Sequence, residues 1–137
     1  MTTTLSWLAE VEDSARRSSI LREVIRPNLA RLRSHHVLLL IGSDQFRQTF
    51  ASEVDILVQL GLFTPLEALR AWSIDTPNAI FPNRRIGTFV DGAEASFLVL
   101  AGDPIADFAN IHRITLRVKQ GRLLHLQNPT PEFPRLR

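Results

Sequence analysis

The sequence has no cysteine. That excludes disulfides, a thiolate metal site and a cysteine nucleophile, and it fits a reducing compartment. Lysine is nearly absent as well: Lys119 is the single one, so all but one of the 16 Lys and Arg residues are arginine. Long hydrophobic runs are missing. The longest, Val37 to Ile41, falls far short of the roughly 20 residues that span a bilayer, so no membrane partner is expected. Thr2 to Ser6 is polar and uncharged, and no long apolar run follows it. The pattern of a leader is therefore not visible, and the cytoplasm is the expected location of this segment. No Asn-x-Ser/Thr acceptor occurs, since Asn128 is followed by Pro129, and there is no internal repeat.

What is present describes a folded chain. Its 137 residues are 45% hydrophobic and 22% charged, too apolar for a disordered segment. The length corresponds to one domain at most and cannot close a (β/α)8 barrel, which takes about 250 residues. Net charge is only +2. Arg16, Arg17, Arg22, Arg26, Arg31 and Arg33 fall in one early stretch, but Glu10, Glu12, Asp13 and Glu23 interleave with them. No row of aromatics accompanies them for base stacking. This reads as a solvated helix face, and no nucleic-acid partner is expected.

Along the chain, Leu5, Leu8, Val11, Ile20, Leu21, Val24 and Ile25 recur at helical spacing, which predicts one or two helices over 5–26. Pro27 should break or kink that run, and a short helix over 28–33 should bury Leu29 and Leu32. The continuous run 37–41 predicts a strand buried on both faces, as in parallel sheets. A helix over about 47–60 should turn Phe50, Val54, Leu57 and Val58 inward, with Gly61 as its terminator. Thr64, Pro65 and Glu67 form a capping box for the next helix, to about Ser73. Asp75-Thr76-Pro77 starts a further short one.

After Pro82 the texture changes. Gly87, Asp91-Gly92, Gly102-Asp103-Pro104 and Gln120-Gly121 are turn signals at hairpin-like spacing. Strands are predicted at 97–100, 114–118 and 123–126, the second half-buried because Ile114, Leu116 and Val118 alternate with Thr115 and Arg117. Three regions follow: 1–82, helical with one parallel-type strand; 83–126, mostly β; and 127–137, an irregular tail.

Several words of this sequence occur in a recognisable order. They are Ile41-Gly42-Ser43-Asp44, then Leu60-Gly61-Leu62-Phe63-Thr64-Pro65-Leu66-Glu67-Ala68-Leu69-Arg70-Ala71, then Thr76-Pro77-Asn78-Ala79 and Arg85-Ile86-Gly87. Asp91-Gly92-Ala93-Glu94-Ala95-Ser96-Phe97-Leu98-Val99-Leu100, Gly102-Asp103-Pro104 and Val118-Lys119-Gln120-Gly121-Arg122 follow. From Leu29 to Leu124 the chain resembles the C-terminal part of the amidohydrolase superfamily of metal-dependent hydrolases, most of all its imidazolonepropionase-like members. The resemblance implies an α/β fold: an incomplete (β/α)8 barrel end, with 37–41 as the last barrel strand plus helices, followed by the C-terminal strands of a small β-sandwich. It implies hydrolysis of non-peptide C–N bonds in a small-molecule substrate. It also implies a divalent metal, zinc being the expected ion, in the complete enzyme.

One residue carries that chemistry here. Asp44 stands just after the buried strand, at the mouth where barrel enzymes place catalytic groups. The resemblance makes it both a metal ligand and the general base, in the context of a complete barrel. Read from its neighbours alone, Gly-Ser-Asp also suits the cap of the next helix. The family's remaining ligands have no counterpart. No His-x-His occurs, His35-His36 is adjacent and falls at the opposite end of the strand, His112 and His125 lie in the β region as surface residues, and Lys119 belongs to a hairpin. A catalytic metal takes about three protein ligands. The 137 residues alone are therefore expected to bind no metal and to be inactive. Two alternatives stand beside that reading: a non-enzymatic interaction module, or a subunit that completes another chain's barrel. Uncovered strand faces would favour a homo-oligomer or an upstream barrel-forming chain as partner.

Overall fold

The structure, a computed structural model, describes residues 1–5, 8, 13–42 and 50–124. It is a mixed helix and sheet fold with two small sheets. The first pairs β1 (Thr2–Thr3) with β2 (Leu40–Ile41) in parallel, Thr2 opposite Leu40 and Thr3 opposite Ile41. Between them the chain runs through α1 (Ser14–Ser19), a π-helical stretch (Ile20–Ile25) and α2 (Arg26–Ser34). After β2 come α3 (Ala51–Gln59), then α4 (Pro65–Arg70), a second π-helical stretch (Ala71–Asp75) and α5 (Thr76–Ile80). The second sheet is antiparallel, with β3 (Phe97–Leu100), β4 (Ile114–Lys119) and β5 (Arg122–Leu124) in the order β3-β4-β5.

Two expectations need correction. The run 37–41 is not a strand buried on both faces: only Leu40 and Ile41 are strand, and burial alternates. Leu39 is 3% and Ile41 1% exposed, but Leu38 is 54% exposed. Helices cover one side of β1–β2; on the other, Thr2 is exposed and Leu40 half-buried. The second correction concerns Pro27, which does not end a helix. Residues 14–34 run on without a break. Proline lacks an N–H and its ring collides with the carbonyl four residues back. The helix widens in the turn before it, where the Arg26 N–H reaches Leu21 O, five residues back. The same device recurs at Pro77, where the Thr76 N–H reaches Ala71 O, so 65–80 is also one continuous helix. Of the remaining expectations, the strand 123–126 is seen as Arg122–Leu124, and 125–137 lie outside the described residues.

The core lies between β1–β2 and the helices. Leu5, Leu8, Leu29, Leu39, Ile41, Val54, Leu57, Leu62, Ala68 and Ala71 are all buried in one cluster. In α3 the inward face carries Val54 and Leu57, as the spacing predicts, but Phe50 is 46% exposed. The end of α3 is closed by two carbonyl-capping bonds, Gly61 N–H to Val58 O at 2.9 Å and Leu62 N–H to Leu57 O at 3.1 Å. Gly61 takes the left-handed φ of +64° that this closure requires. The capping box of α4 is complete: Thr64 Oγ1 accepts from the Glu67 N–H, and Glu67 Oε2 accepts from the Thr64 N–H at 2.8 Å. Arg33 of α2 pairs with Glu67 at 2.6 Å and lies over the Phe63 ring, 4.4 Å from its centroid. One residue thus joins α2 to the start of α4.

The second sheet is two-faced. Its register places Phe97, Val99, Leu116, Val118 and Leu123 on one side, with Ile114 and Leu100 past a bulge. Every one is apolar, and none is fully buried. The other side carries Leu98, Leu124, Thr115 and three cations, Arg117, Lys119 and Arg122. The half-buried alternation predicted for β4 is present. The sheet meets the helices through Ile111, 2% exposed, through Phe108 packed on the core, and through the loop at Gly87. Gly87 has φ +84°, and a Cβ there would lie 1.8 Å from Ser73 O. That carbonyl is the one Pro77, four residues on, cannot use.

Two outcomes follow for stability. The Thr64 backbone N–H, with lesser help from the Thr64 hydroxyl and Arg33, holds the Glu67 carboxyl below its ordinary value of 4.5. A depressed carboxylate stabilises the fold above the unfolded value and stops doing so as pH falls through the folded one. Stability should therefore decline below about pH 4.5, and Glu67→Gln should remove that part of the decline in urea titrations across pH. Thr64→Ala should lower the unfolding free energy by about 1 kcal/mol at neutral pH. Gly87→Ala, strained in conformation and in space, should cost about 2–3 kcal/mol in the same titration.

Candidate functional site

In a parallel pair both strands point the same way, and the loops leaving their C-terminal ends meet at one mouth. Here those ends are Thr4–Leu5 after β1 and Gly42 after β2. Leu40 N–H donates to Met1 O at 2.7 Å and Gly42 N–H to Thr3 O at 3.0 Å, so the pairing continues one residue past Ile41. Gly42 is required for space: a Cβ would stand 2.4 Å from Thr2 Cγ2 and 3.0 Å from Thr3 O.

The Ile41 N–H points away from β1. It donates to Thr76 Oγ1 at 2.8 Å in a buried contact. A side chain of α5 takes the place that a neighbouring strand's carbonyl would hold. Beneath the mouth lies Glu53, on the inward face of α3 and 0% exposed. Its Oε2 accepts from the backbone N–H of Leu5. The helix that follows β2 is thus bolted to the segment that follows β1.

Asp44, the sequence's candidate for catalysis and metal binding, lies outside the described residues. The structure describes the frame around it: Gly42 two residues before, α3 after, and Glu53 and Thr76 pinning both. His35 and His36 are exposed and sit in the turn before the strand, at the end opposite the mouth. His36 adopts φ +57°, a left-handed turn position. His112 is on the surface, as expected, but it has a partner: its Nε2 lies 2.7 Å from Asp55 Oδ2 on α3. Lys119 ends β4 beside the turn at Gln120-Gly121. His125 lies outside the described residues. Among the described residues no three His, Asp or Glu side chains come together to hold a metal ion. The described part of this chain therefore does not fit a metal by itself.

Glu53 and Thr76 were not singled out by sequence pattern. A signal for Glu53 existed. It stands three residues after Phe50 and four before Leu57, an acid on an otherwise apolar helix stripe. Thr76 gave none, because threonine before proline reads equally well as a turn.

No family model matches the chain, and no curated protein matches it. Solved structures do. A prolidase complexed with N-methylphosphonate-L-proline matches with a TM-score of 0.72 and 24% identity, over 92% of this chain and 35% of its own. A. niger ochratoxinase matches with 0.73 and 22%, over 89% of this chain and 31% of its own. An amidohydrolase matches with 0.70 and 20%, over 92% and 35%. The chain has the fold of one segment of these amidohydrolase-family hydrolases and spans about a third of their length. No helix among the described residues is long and apolar enough to cross a membrane.

The bond from Ile41 to Thr76 predicts a clear mutational contrast. Thr76→Val leaves a buried N–H without its acceptor and should destabilise by about 1–3 kcal/mol. Thr76→Ser keeps the hydroxyl and should cost less than half as much in urea unfolding.

Proposed function

We propose that these residues form part of an amidohydrolase-type hydrolase that cleaves a C–N bond of a small molecule with a divalent metal, and that they are inactive alone. The observation that carries this reading is the match in fold, over about nine-tenths of the chain, to several hydrolases named for different substrates. The same variety of names selects no substrate. The narrower likeness to imidazolonepropionase-like members rests on the words quoted from the sequence. In this reading the first sheet is the end of a (β/α)8 barrel and the second is a share of a β-sandwich.

The part proposed for this chain is one carboxylate on a rigid mount. Asp44 would be a metal ligand and proton acceptor. Glu53 and Thr76 would hold the strand ends that set its position. The other ligands would come from residues outside these 137, so no further step is derived from this chain. A second reading, a subunit completing another chain's barrel, is favoured by one feature: the open side of β1–β2, where Leu38 is 54% exposed.

The test is direct. The purified 137-residue chain should show no zinc- or manganese-dependent hydrolysis of amide or carbamate substrates. An antibody to residues 86–124 should reveal a native species above 15.5 kDa, or a co-purifying chain of barrel type. Asp44→Asn in that complete species should lower kcat by about 10²–10⁴-fold. Metal-dependent turnover by the pure chain would overturn the proposal, as would full activity of the complete species after Asp44→Asn.

A further inference from the structure

The chain between the last helix and the second sheet folds back on itself. Glu94 N–H donates to Arg85 O at 2.7 Å, and Ala93 N–H to Val90 O at 3.0 Å. Residues 85–94 are thus a loop with its ends together, of the Ω type. Residues 88–92 are all exposed, and among the described residues no backbone bond ties 86–92 to anything outside the loop. Few buried contacts and few bonds mark the segments that open first. Beyond Gly87, packed on Ser73, two contacts hold this one down. The Phe89 ring leans on Phe97 of β3, with centroids 5.6 Å apart, and the Glu94 carboxylate ties the base of the loop.

That carboxylate is a hub. Arg84 Nη2 donates to Glu94 Oε1 at 2.7 Å and to Oε2 at 2.8 Å, and Arg84 Nε donates to Oε2 at 3.2 Å. Ser96 Oγ donates to Oε1 at 2.5 Å and accepts from the Gln120 N–H at 3.0 Å. Arg84 is itself seated over the Phe81 ring where α5 ends, 5.2 Å from its centroid. One side chain therefore joins the end of the helical layer, the loop, the approach to β3 and the turn between β4 and β5.

We propose that residues 85–94 are a lid over the Phe97 end of the sheet's apolar side, that Glu94 is its clasp, and that releasing the clasp opens the lid as a unit while β3–β4–β5 stays folded. The inference does not depend on the hydrolase reading. A lone surface ion pair contributes little. A forked pair bridged by a hydroxyl to a third segment is different, because charge-assisted bonds in one network strengthen each other and are lost together. The clasp is charged at neutral pH: Arg84, and after it the Ser96 hydroxyl, hold the Glu94 carboxyl below its ordinary value of 4.5.

Three features select opening as a unit over a general loosening of the sheet. The ladder of β3 on β4, with Phe97 opposite Val118 and Val99 opposite Leu116, uses no residue of the loop. The contact that the loop makes with that ladder is a single ring on a ring, and Phe89 is 87% exposed while making it. Gly87 fixes the near end of the loop against the helices, so the far end, where Glu94 sits, is the end free to swing. With the clasp released, Phe89 leaves and Phe97 loses its cover.

Amide hydrogen exchange of the 137-residue chain separates the two motions. In Glu94→Gln and in Arg84→Gln, protection at positions 93 and 94 should fall by about tenfold, and protection along β4 should stay as it is. The double variant should open no further than Glu94→Gln, because both changes remove one contact. Ser96→Ala, which leaves the fork in place, should lose less. Asp91→Asn removes a charge from the same loop outside the clasp and should change protection by less than about twofold. Trypsin cleavage after Arg85, mapped by mass, should rise in Glu94→Gln by the factor that exchange reports, since cleavage follows the open population. Unchanged protection at 93 and 94 in both glutamine variants would overturn the proposal. So would an equal loss along β4, which means lid and sheet open together, or additive effects in the double variant.

Discussion

A two-stranded parallel sheet can bury a side only if helices are brought to it, and here β2 brings them. Leu39 and Ile41 point into a cluster to which α2 contributes Leu29, α3 Val54 and Leu57, and α4 Ala68. Every helix segment after α1 leans on this side or on a residue that does. At roughly 2–5 kcal/mol for truncating a buried leucine or isoleucine, a few such residues equal the net stability of an ordinary domain. The polar contacts are arranged around the same place. Thr76 takes the Ile41 N–H that β1 leaves over, and Glu53 takes the Leu5 N–H where β1 ends. Position at the mouth therefore follows from packing beneath it.

The second sheet depends on that core far less. It is held by Ile111 and Phe108, by the His112–Asp55 contact and by the close approach of Gly87 to Ser73. Its own strands are joined by backbone bonds and have no buried residue. One molecule thus combines a packed helical layer with a sheet whose apolar side is still available. The match to about a third of larger hydrolases is consistent with both halves: a segment can keep its local fold and yet leave surfaces that a larger assembly would cover.

Much of this was legible in the residues. Capping box, glycine terminator, hairpin turn and alternation in β4 are local patterns, and each is in place because local sterics decide them. The parallel nature of β2 was legible too, from a run of apolar residues with no turn. Its partner was not. Thr2–Thr3 is polar and only two residues long, and what makes it a strand is its backbone, whose carbonyls at Met1 and Thr3 accept from the Leu40 and Gly42 N–H groups. The burial of β2 on both sides was expected from the unbroken apolar run 37–41, which cannot say whether a second layer exists. Of the site, Asp44 was legible by resemblance alone, whereas Glu53 and Thr76 act over 48 and 35 residues of separation. Such pairings depend on tertiary placement that no short pattern records.

The two π-helical stretches have a meaning beyond accommodating proline. Each contains, in effect, one residue more than an α-helix of the same length. In a regular helix an extra residue would turn everything downstream by about 100°; taken up in a wide turn, it leaves the residues on either side facing the same way. In the first helix Leu21 and Ile25 of the wide stretch and Leu29 beyond it pack on one core. In the second, Thr76 at the end of the stretch presents its hydroxyl to Ile41. Each wide turn is therefore the place where its helix can absorb a change of length. A lineage that lost the proline together with one residue there would regain regular hydrogen bonds and keep the facing of its core, whereas the same deletion elsewhere in the helix would turn the core residues away.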